Sequence, residues 1–324
     1  MKVTNLQMSE LAKIGRMNFN NPAKGDVHTS SVLSGVSVMY KNDSYIADQV
    51  LPVVPVKKEV DLYYTYTRNW RLPEARRAAG AEAAEVEWNV GTDTYSCIEY
   101  ALKDLLPDRV RDNADKPLSM DTDTTENLTD LIQLLREKRV ADIVFTGGNH
   151  GTTSALSGSN QWSDYAGSDP IGDVRTAMNV VHAASGKLPN TLVMGREVFI
   201  KLLDHPDVLE RIKYTQKGKI TAEILASLFE VDKILVGNAL YDSSTVDASE
   251  SLGYVWGKSV ALIYAQPSPG LKSVSYGYQF QSRGFRTKKW REEGRDGDFF
   301  ESGEIRDEKV VASACGYLYT TVVA

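Results

Sequence analysis

Residues 68–93, RNWRLPEARRAAGAEAAEVEWNVGTD, are rich in Ala, Arg and Glu, hold too few apolar residues to build an interior, and lie between two strand-like segments. On one side Val60, Leu62, Tyr64 and Tyr66 alternate with Asp61, Tyr63 and Thr65, a period of two that predicts a strand with one better-buried face. On the other side TYSCIEYALKDLLPD returns. The stretch between them reads as a protruding loop or hairpin tip. Residues 1–45 share the deficit, because Asn18, Asn20, Asn21, Pro22, Gly25 and Ser30 interrupt any sustained period and predict an extended arm. Neither segment can offset its ordering entropy with a core of its own. Each is therefore either disordered or ordered against another surface, such as that of a second subunit.

The remaining chain is strongly patterned. Leu128, Leu131, Ile132 and Leu135 recur at helical spacing, with Asp123 and Glu126 as a capping pair and Arg136, Lys138 and Arg139 toward the end, which predicts a long helix over about 123–142. HGTTSALSGSNQ then reads as a loop. Asp169-Pro170 opens a helix carrying Val174, Ala177, Val181 and Ala184, stopped by Gly186. LPNTLVMG predicts a short strand, GREVFIKLLDHPDVLERIKY two helices broken at Pro206, TAEILASLFE another helix and KILVG another strand, so that 170–265 forms an α/β module closed by YVWGKSVALIYAQ. Near the end, Val274, Tyr276, Tyr278 and Phe280 share one face. FRTKKWREE, a polar loop at GRDGDFFESGEIRDE, and KVVASACGYLYTTVV predict a long antiparallel hairpin. The first and last sheets are expected to belong together, with the residues between them inserted.

Recognisable chemistry is missing. Cys97 and Cys315 are the only cysteines, too sparse for a disulfide scaffold or a metal site, and read as reduced, buried thiols. His28, His150, His182 and His205 lie in four separate segments and read as solvated or structural. SGKLP lacks the glycine five positions before Gly186 that a phosphate loop needs, Val181 standing there, and Gly147, Gly148 and Gly151 fail the dinucleotide spacing. No serine sits in a nucleophile elbow. The pairs Glu292/Glu293 and Asp296/Asp298 read as a solvated turn. No catalytic residue, cofactor or metal is expected. With 37 Lys and Arg against 43 Asp and Glu, the net charge of −6 repels polyanions and does not mark a dedicated nucleic-acid binder. No apolar run nears the roughly 18 residues of a membrane span, and MKVTNLQMSELAKIG lacks a signal-peptide core, so the product is expected to stay in the cytoplasm where it is made.

Taken in order, YIADQVLPVVPV, TTENLTDLIQLLREKRVADIVF, LPNTLVMGREVFIKLLDHPDVLERIKY, ITAEILASLFEVDKILVGNA, YGYQFQSRGFRTKKW and KVVASACGYLYTTVV resemble the tailed-bacteriophage major capsid protein family with the Hong Kong 97-like capsid fold. The resemblance implies an α+β fold with an N-terminal arm (1–45), an extended loop (60–95) and an axial α/β domain (165–268). A peripheral domain would comprise 46–59, 96–164 with the spine helix, and 269–324 as the returning hairpin. It also implies hexamers and pentamers closing an icosahedral shell around a double-stranded DNA genome, assembled in the host bacterial cytoplasm. Further partners would be a separate scaffolding protein, a portal and, in some members, a decoration protein. No membrane and no sequence-specific DNA contact would be involved.

On this reading Trp70, Leu72 and Trp88 are apolar anchors between subunits, packing within the chain being the alternative. Glu74, Glu82, Glu85 and Glu87 would pair across subunits with Arg283, Arg286, Lys288, Lys289 and Arg291, setting register more than strength. Two family features are absent. Residues 68–93 contain no lysine for an isopeptide cross-link, and no helical scaffolding segment precedes the arm, so separate scaffolding or self-sufficient assembly is expected; Met1 speaks against an already processed chain. An encapsulin-like nanocompartment is the alternative within the same fold. A soluble α/β enzyme built on 170–265 is the alternative outside it.

Overall fold

TLVMG, KILVG and VALI are apolar without alternation because the sheet they build is covered on both faces. The computed structural model describes residues 42, 45–66, 72, 74–77, 79–80, 82–86, 90–114, 119–213, 221–245, 249–268 and 273–324. Of the expected arm, only residues 42 and 45 fall among them. The three runs become β6 (Thr191–Gly195), β7 (Lys233–Gly237) and β10 (Val260–Ile263), joined by β5 (Thr152–Ala155) and β13 (Gly316–Thr320) in the order β5-β13-β10-β6-β7. β6 and β7 are parallel, β10 is antiparallel to both its neighbours, and β13 is parallel to β5.

Alternate residues of these strands divide between two cores. Leu192, Met194, Val260, Leu262, Tyr317 and Tyr319 pack with α4 (Pro170–Ser185), α5 (Arg196–Leu203), α6 (Pro206–Ile212) and α7 (Ala222–Leu228). Val193, Leu235, Ala261, Ile263 and Leu318 pack with Val140, Ala141 and Val144 of α3 (Met120–Val144) and with Ala47 and Val50 of α1 (Ala47–Val50). The helices of 170–228 lie where the sequence puts them. Asp169 caps α4 by accepting the Gly172 N–H at 2.9 Å, and Gly186 ends it at φ 69°.

Both β6 and β7 end in glycine for one reason: Trp256 crosses their ends. A Cβ on Gly237 would lie 2.0 Å from the Trp256 ring, and one on Gly195 would lie 2.2 Å from its carbonyl oxygen. Trp256 itself is fully buried.

A second sheet has the order β1-β11-β12-β4, formed by β1 (Val53–Pro55), β11 (Gly277–Glu292), β12 (Gly297–Val310) and β4 (Ile98–Pro107). Strands from near the start and near the end do share a sheet, as expected, with Val53 of β1 opposite Gln279 of β11 in parallel register. Three expectations need correction. The supposed polar loop GRDGDFFESGEIRDE is mostly strand β12, since its polar residues are held by partners: Ser302, Glu304 and Arg306 are all buried. The terminal KVVASACGYLYTTVV does not complete that hairpin, because β13 goes to the five-stranded sheet; and TTSA of the expected loop is β5, which β13 recruits as an edge strand. That sheet therefore extends beyond 165–268.

The long helix exceeds its expected bounds, running from Met120 to Val144 with Asp123 and Glu126 inside it. Leu128 and Ile132 are buried, whereas Leu131 and Leu135 are exposed, so the buried stripe is narrower than the leucine spacing suggests.

Compactness divides the chain into two units. One comprises 42–100, 132–285 and 304–324 and holds the five-stranded sheet with both its cores. It also contains a buried ionic network: Glu304 meets Arg306 at 2.8 Å and Arg136 at 3.2 Å, Arg139 meets Glu308 at 2.7 Å, and Asp48 meets Arg136 and Arg306 at 3.3 Å each. In the same unit His150 stacks on Tyr276 and directs Nε2 to the Val144 carbonyl at 2.6 Å. A carbonyl only accepts, so Nε2 carries the hydrogen and Nδ1 is left buried without a partner among the described residues. Burial lowers the His150 pKa.

The other unit has described residues 101–114, 119–131 and 286–303. Leu106, Met120, Leu128 and Phe300 form its small core. α2 (Asp108–Asn113) supplies Arg111, which reaches Asp108 at 3.1 Å, Asp121 at 3.0 Å and Asp298 at 2.7 Å. That guanidinium holds the Asp298 carboxyl below the usual carboxylate range.

Candidate assembly surfaces

β2 (Val60–Tyr66) and β3 (Val90–Ser96) pair antiparallel, which confirms a hairpin stem on either side of the core-poor stretch. Opposite residues share a face, so Val60, Leu62 and Tyr64 line one side with Ser96, Thr94 and Thr92, and Val90 follows on the same side of β3. The alternation predicts that this apolar side is the buried one. The structure reverses that: Val60 is 61% exposed, Leu62 58% and Tyr64 68%, and Val90 and Ile98 are exposed as well.

The buried side is the one carrying the interspersed residues. Tyr95 and Tyr63 stack on Phe280 with ring centroids 4.7 and 5.6 Å away, and Cys97 and Tyr278 complete this small cluster. Polar bonds fix the docking. Tyr63 donates to Asp93 at 2.7 Å, Lys309 reaches Asp93 at 3.0 Å and also the Thr94 carbonyl, and the Ser96 N–H donates to Asp307 at 2.9 Å. The hydrogen bond from Tyr63 and then that from Lys309 lower the Asp93 pKa to about 2, while burial and Asp93 raise that of Tyr63.

Beyond the stem, Leu72 is 96% exposed and Glu74, Glu82 and Glu85 are exposed. Trp70, Glu87 and Trp88 lie outside the described residues. The basic run divides. Lys288 pairs with Glu301 at 2.6 Å, Lys289 with Asp121 at 2.7 Å and Asp298 at 3.2 Å, and Arg291 with Asp108 at 2.6 Å, so these three already have partners in their own chain. Arg283 and Arg286 are exposed without an acidic partner among the described residues. The residues missed in the sequence are Val60, Leu62, Tyr64, Val90 and Ile98 as outward groups. The signal was present in Tyr63, an aromatic residue standing on what looks like the polar face of β2.

Among the described residues no enzyme-like arrangement competes with these surfaces. Cys97 and Cys315 are buried free thiols, His205 bonds Ser168 at 3.0 Å and caps α6 at Asp207, His182 is exposed, and His28 lies outside the described residues. A depression lined by Asp169, Ile171, Asp207, Glu210 and Arg211 brings no nucleophile beside a base, and Asp169 is already used as a helix cap. Among the described residues no group of three or more His, Cys, Asp or Glu is placed to hold a metal ion, and no helix is long and apolar enough to cross a membrane.

Residues 148–275 match the family described as phage major capsid protein E. The major capsid protein of Pseudomonas phage JBD67 is 31% identical over 238 residues, covering 72% of this chain and 75% of that protein. The chain belongs to the phage major capsid protein family. The major capsid protein of Burkholderia phage BcepMu is 28% identical over 303 residues, covering 90% of this capsid protein and 95% of its relative. The capsid structure of cyanophage P-SCSP1u superposes with a TM-score of 0.62 at 10% identity, covering 95% of this chain and 97% of the other, which shows the shared Hong Kong-type α+β capsid fold. This capsid protein is a structural component of the virion and not an enzyme.

Proposed function

We propose that copies of this capsid protein associate as hexamers and pentamers into a closed icosahedral shell around double-stranded DNA, with the outward face of the β2–β3 hairpin as an apolar contact between copies. One observation carries this reading: the hairpin turns Val60, Leu62 and Tyr64 to solvent while docking through its opposite face. Exposed contiguous apolar surface on a monomer marks an association site, and covering it in a lattice removes it from water. Shared capsid fold and family membership support the same reading.

Charge would add register. Arg283 and Arg286 are the cations left for Glu74, Glu82 and Glu85 of another copy, since Lys288, Lys289 and Arg291 have partners within their own chain. Trp70, Leu72 and Trp88 remain the proposed anchors at the tip. Residues 165–268 would serve as the axial domain, widened by β5 and β13, and a separate scaffolding protein, a portal and a decoration protein would be its further partners. Negative-stain microscopy of the purified full chain, alone and with candidate scaffolding proteins, tests the shell. Uniform hollow particles are expected from the parent and are lost in Leu62→Asp. A parent that stays a small single species under every condition would overturn it, and particles that copurify with a cargo enzyme and no DNA would point to a compartment instead.

A further inference from the structure

The first helix of the described chain, α1, has only four residues, far below the length at which a helix persists by itself, and Ile46 at its N-cap offers no side-chain hydrogen bond. Its ends are satisfied from elsewhere. Glu137 of α3, fully buried, accepts the Ile46 N–H on Oε1 and the Ala47 N–H on Oε2, both at 2.9 Å. The same Oε1 accepts the Trp256 indole N–H at 2.6 Å. At the other end Gln279, also fully buried, donates Nε2 to the Leu51 carbonyl at 2.8 Å and the Ala47 carbonyl at 3.1 Å, and Lys233 reaches the Gln49 carbonyl at 3.1 Å. Ile46, Ala47, Val50 and Leu51 are all buried beneath these bonds.

We propose that Glu137 is a positioning residue that clasps Ile46–Leu51 onto the long helix and ties that clasp to the Trp256 loop, so that this short helix is held in one place on the five-stranded sheet's unit. Three buried donors converge on a single carboxylate. Removing it leaves each of them without an acceptor, at a cost far above that of losing an exposed hydrogen bond. Trp256 is packed closely against the ends of β6 and β7, so the clasp is joined through it to the five-stranded sheet. A helix of four residues does not persist by its own backbone bonds, so α1 depends on α3, β11 and the Trp256 loop.

Hydrogen exchange on the full-length protein, followed by mass spectrometry, tests this without any shell having to form. In Glu137→Gln the amide group sets N–H against N–H, and exchange at Ile46 and Ala47 should accelerate about tenfold or more while β6 stays within about twofold of the parent. Trp256→Phe removes the indole donor together with part of the ring, so exchange in β6 again serves as its control. If the two ends are tied, it should raise exchange at Ile46 and Ala47 as well. Unchanged exchange at these amides, or a rise matched in β6, would show that Glu137 is only one more buried core group. Should Glu137→Gln not fold, Glu137→Asp keeps the charge and shortens the reach; acceleration confined to Ile46 and Ala47 supports the clasp, and exchange equal to the parent there overturns it.

Discussion

The five-stranded sheet and the β2–β3 hairpin use similar residues to opposite ends. In the sheet the inner strands are covered on both faces, so Leu192 and Val193 are both fully buried although they point in opposite directions. In the hairpin one face is covered by Phe280 and the other is left apolar and open. Alternation in a strand says that two faces differ. It does not say which face meets the protein's own interior, because an apolar face can be satisfied by a second copy as well as by the first.

The sharpest way to separate the two regions is to damage each. Leu192→Ala should lower protomer stability by about 2–5 kcal/mol in urea unfolding, since it opens a cavity in a closed core. Leu62→Asp should leave that stability within about 0.5 kcal/mol and abolish particles, read by sedimentation and microscopy. If Leu62→Asp unfolds the protomer, the outward face is not free and the contrast fails.

Acid distinguishes them by pH window. Burial depresses the His150 pKa below 6.5, so the unfolded chain takes up the proton first; the stability His150 contributes is present above 6.5 and is lost as pH falls below it. A fall in urea midpoint between about pH 7 and 5 should flatten in His150→Gln. The hairpin should ignore that range. Its Asp93 bond is present above 3.8 and is lost as pH falls toward about 2, so accelerated exchange in β3 should appear only in strong acid. Lys309→Ala should loosen β3 by under about 1 kcal/mol, an exposed pair being weak. The smallest expected effect belongs to charge reversal at Arg283 and Arg286: protomer stability within about 0.5 kcal/mol, with a change only in the salt dependence of assembly.

Much of the covered region was legible in the sequence. Asp169-Pro170, Gly186 and Pro206 mark helix limits that the structure reproduces, because caps and breakers act locally. β12 was not legible. Its Glu304, Arg306 and Ser302 look like loop residues until Arg136 and Thr287 supply their partners from distant positions. β13 was legible as a strand but not as a member of the five-stranded sheet, since pairing over such separations leaves no local trace. Among the candidate contacts, exposure of Leu72, Glu74, Glu82 and Glu85 follows directly from a stretch too poor in apolar groups to fold inward. The partners of Lys288, Lys289 and Arg291 do not, because Asp108, Asp121 and Asp298 come together only after the chain has folded.

The place of β13 carries a further consequence. It is the last strand in sequence and yet sits in the interior of its sheet, between β5 and β10. Until residues 316–320 have emerged from the ribosome, β10 keeps a bare flank and β5 has no neighbour to pair with. The five-stranded sheet is therefore closed across its middle only by the last-made of its own strands, so chain order and spatial order run against each other there.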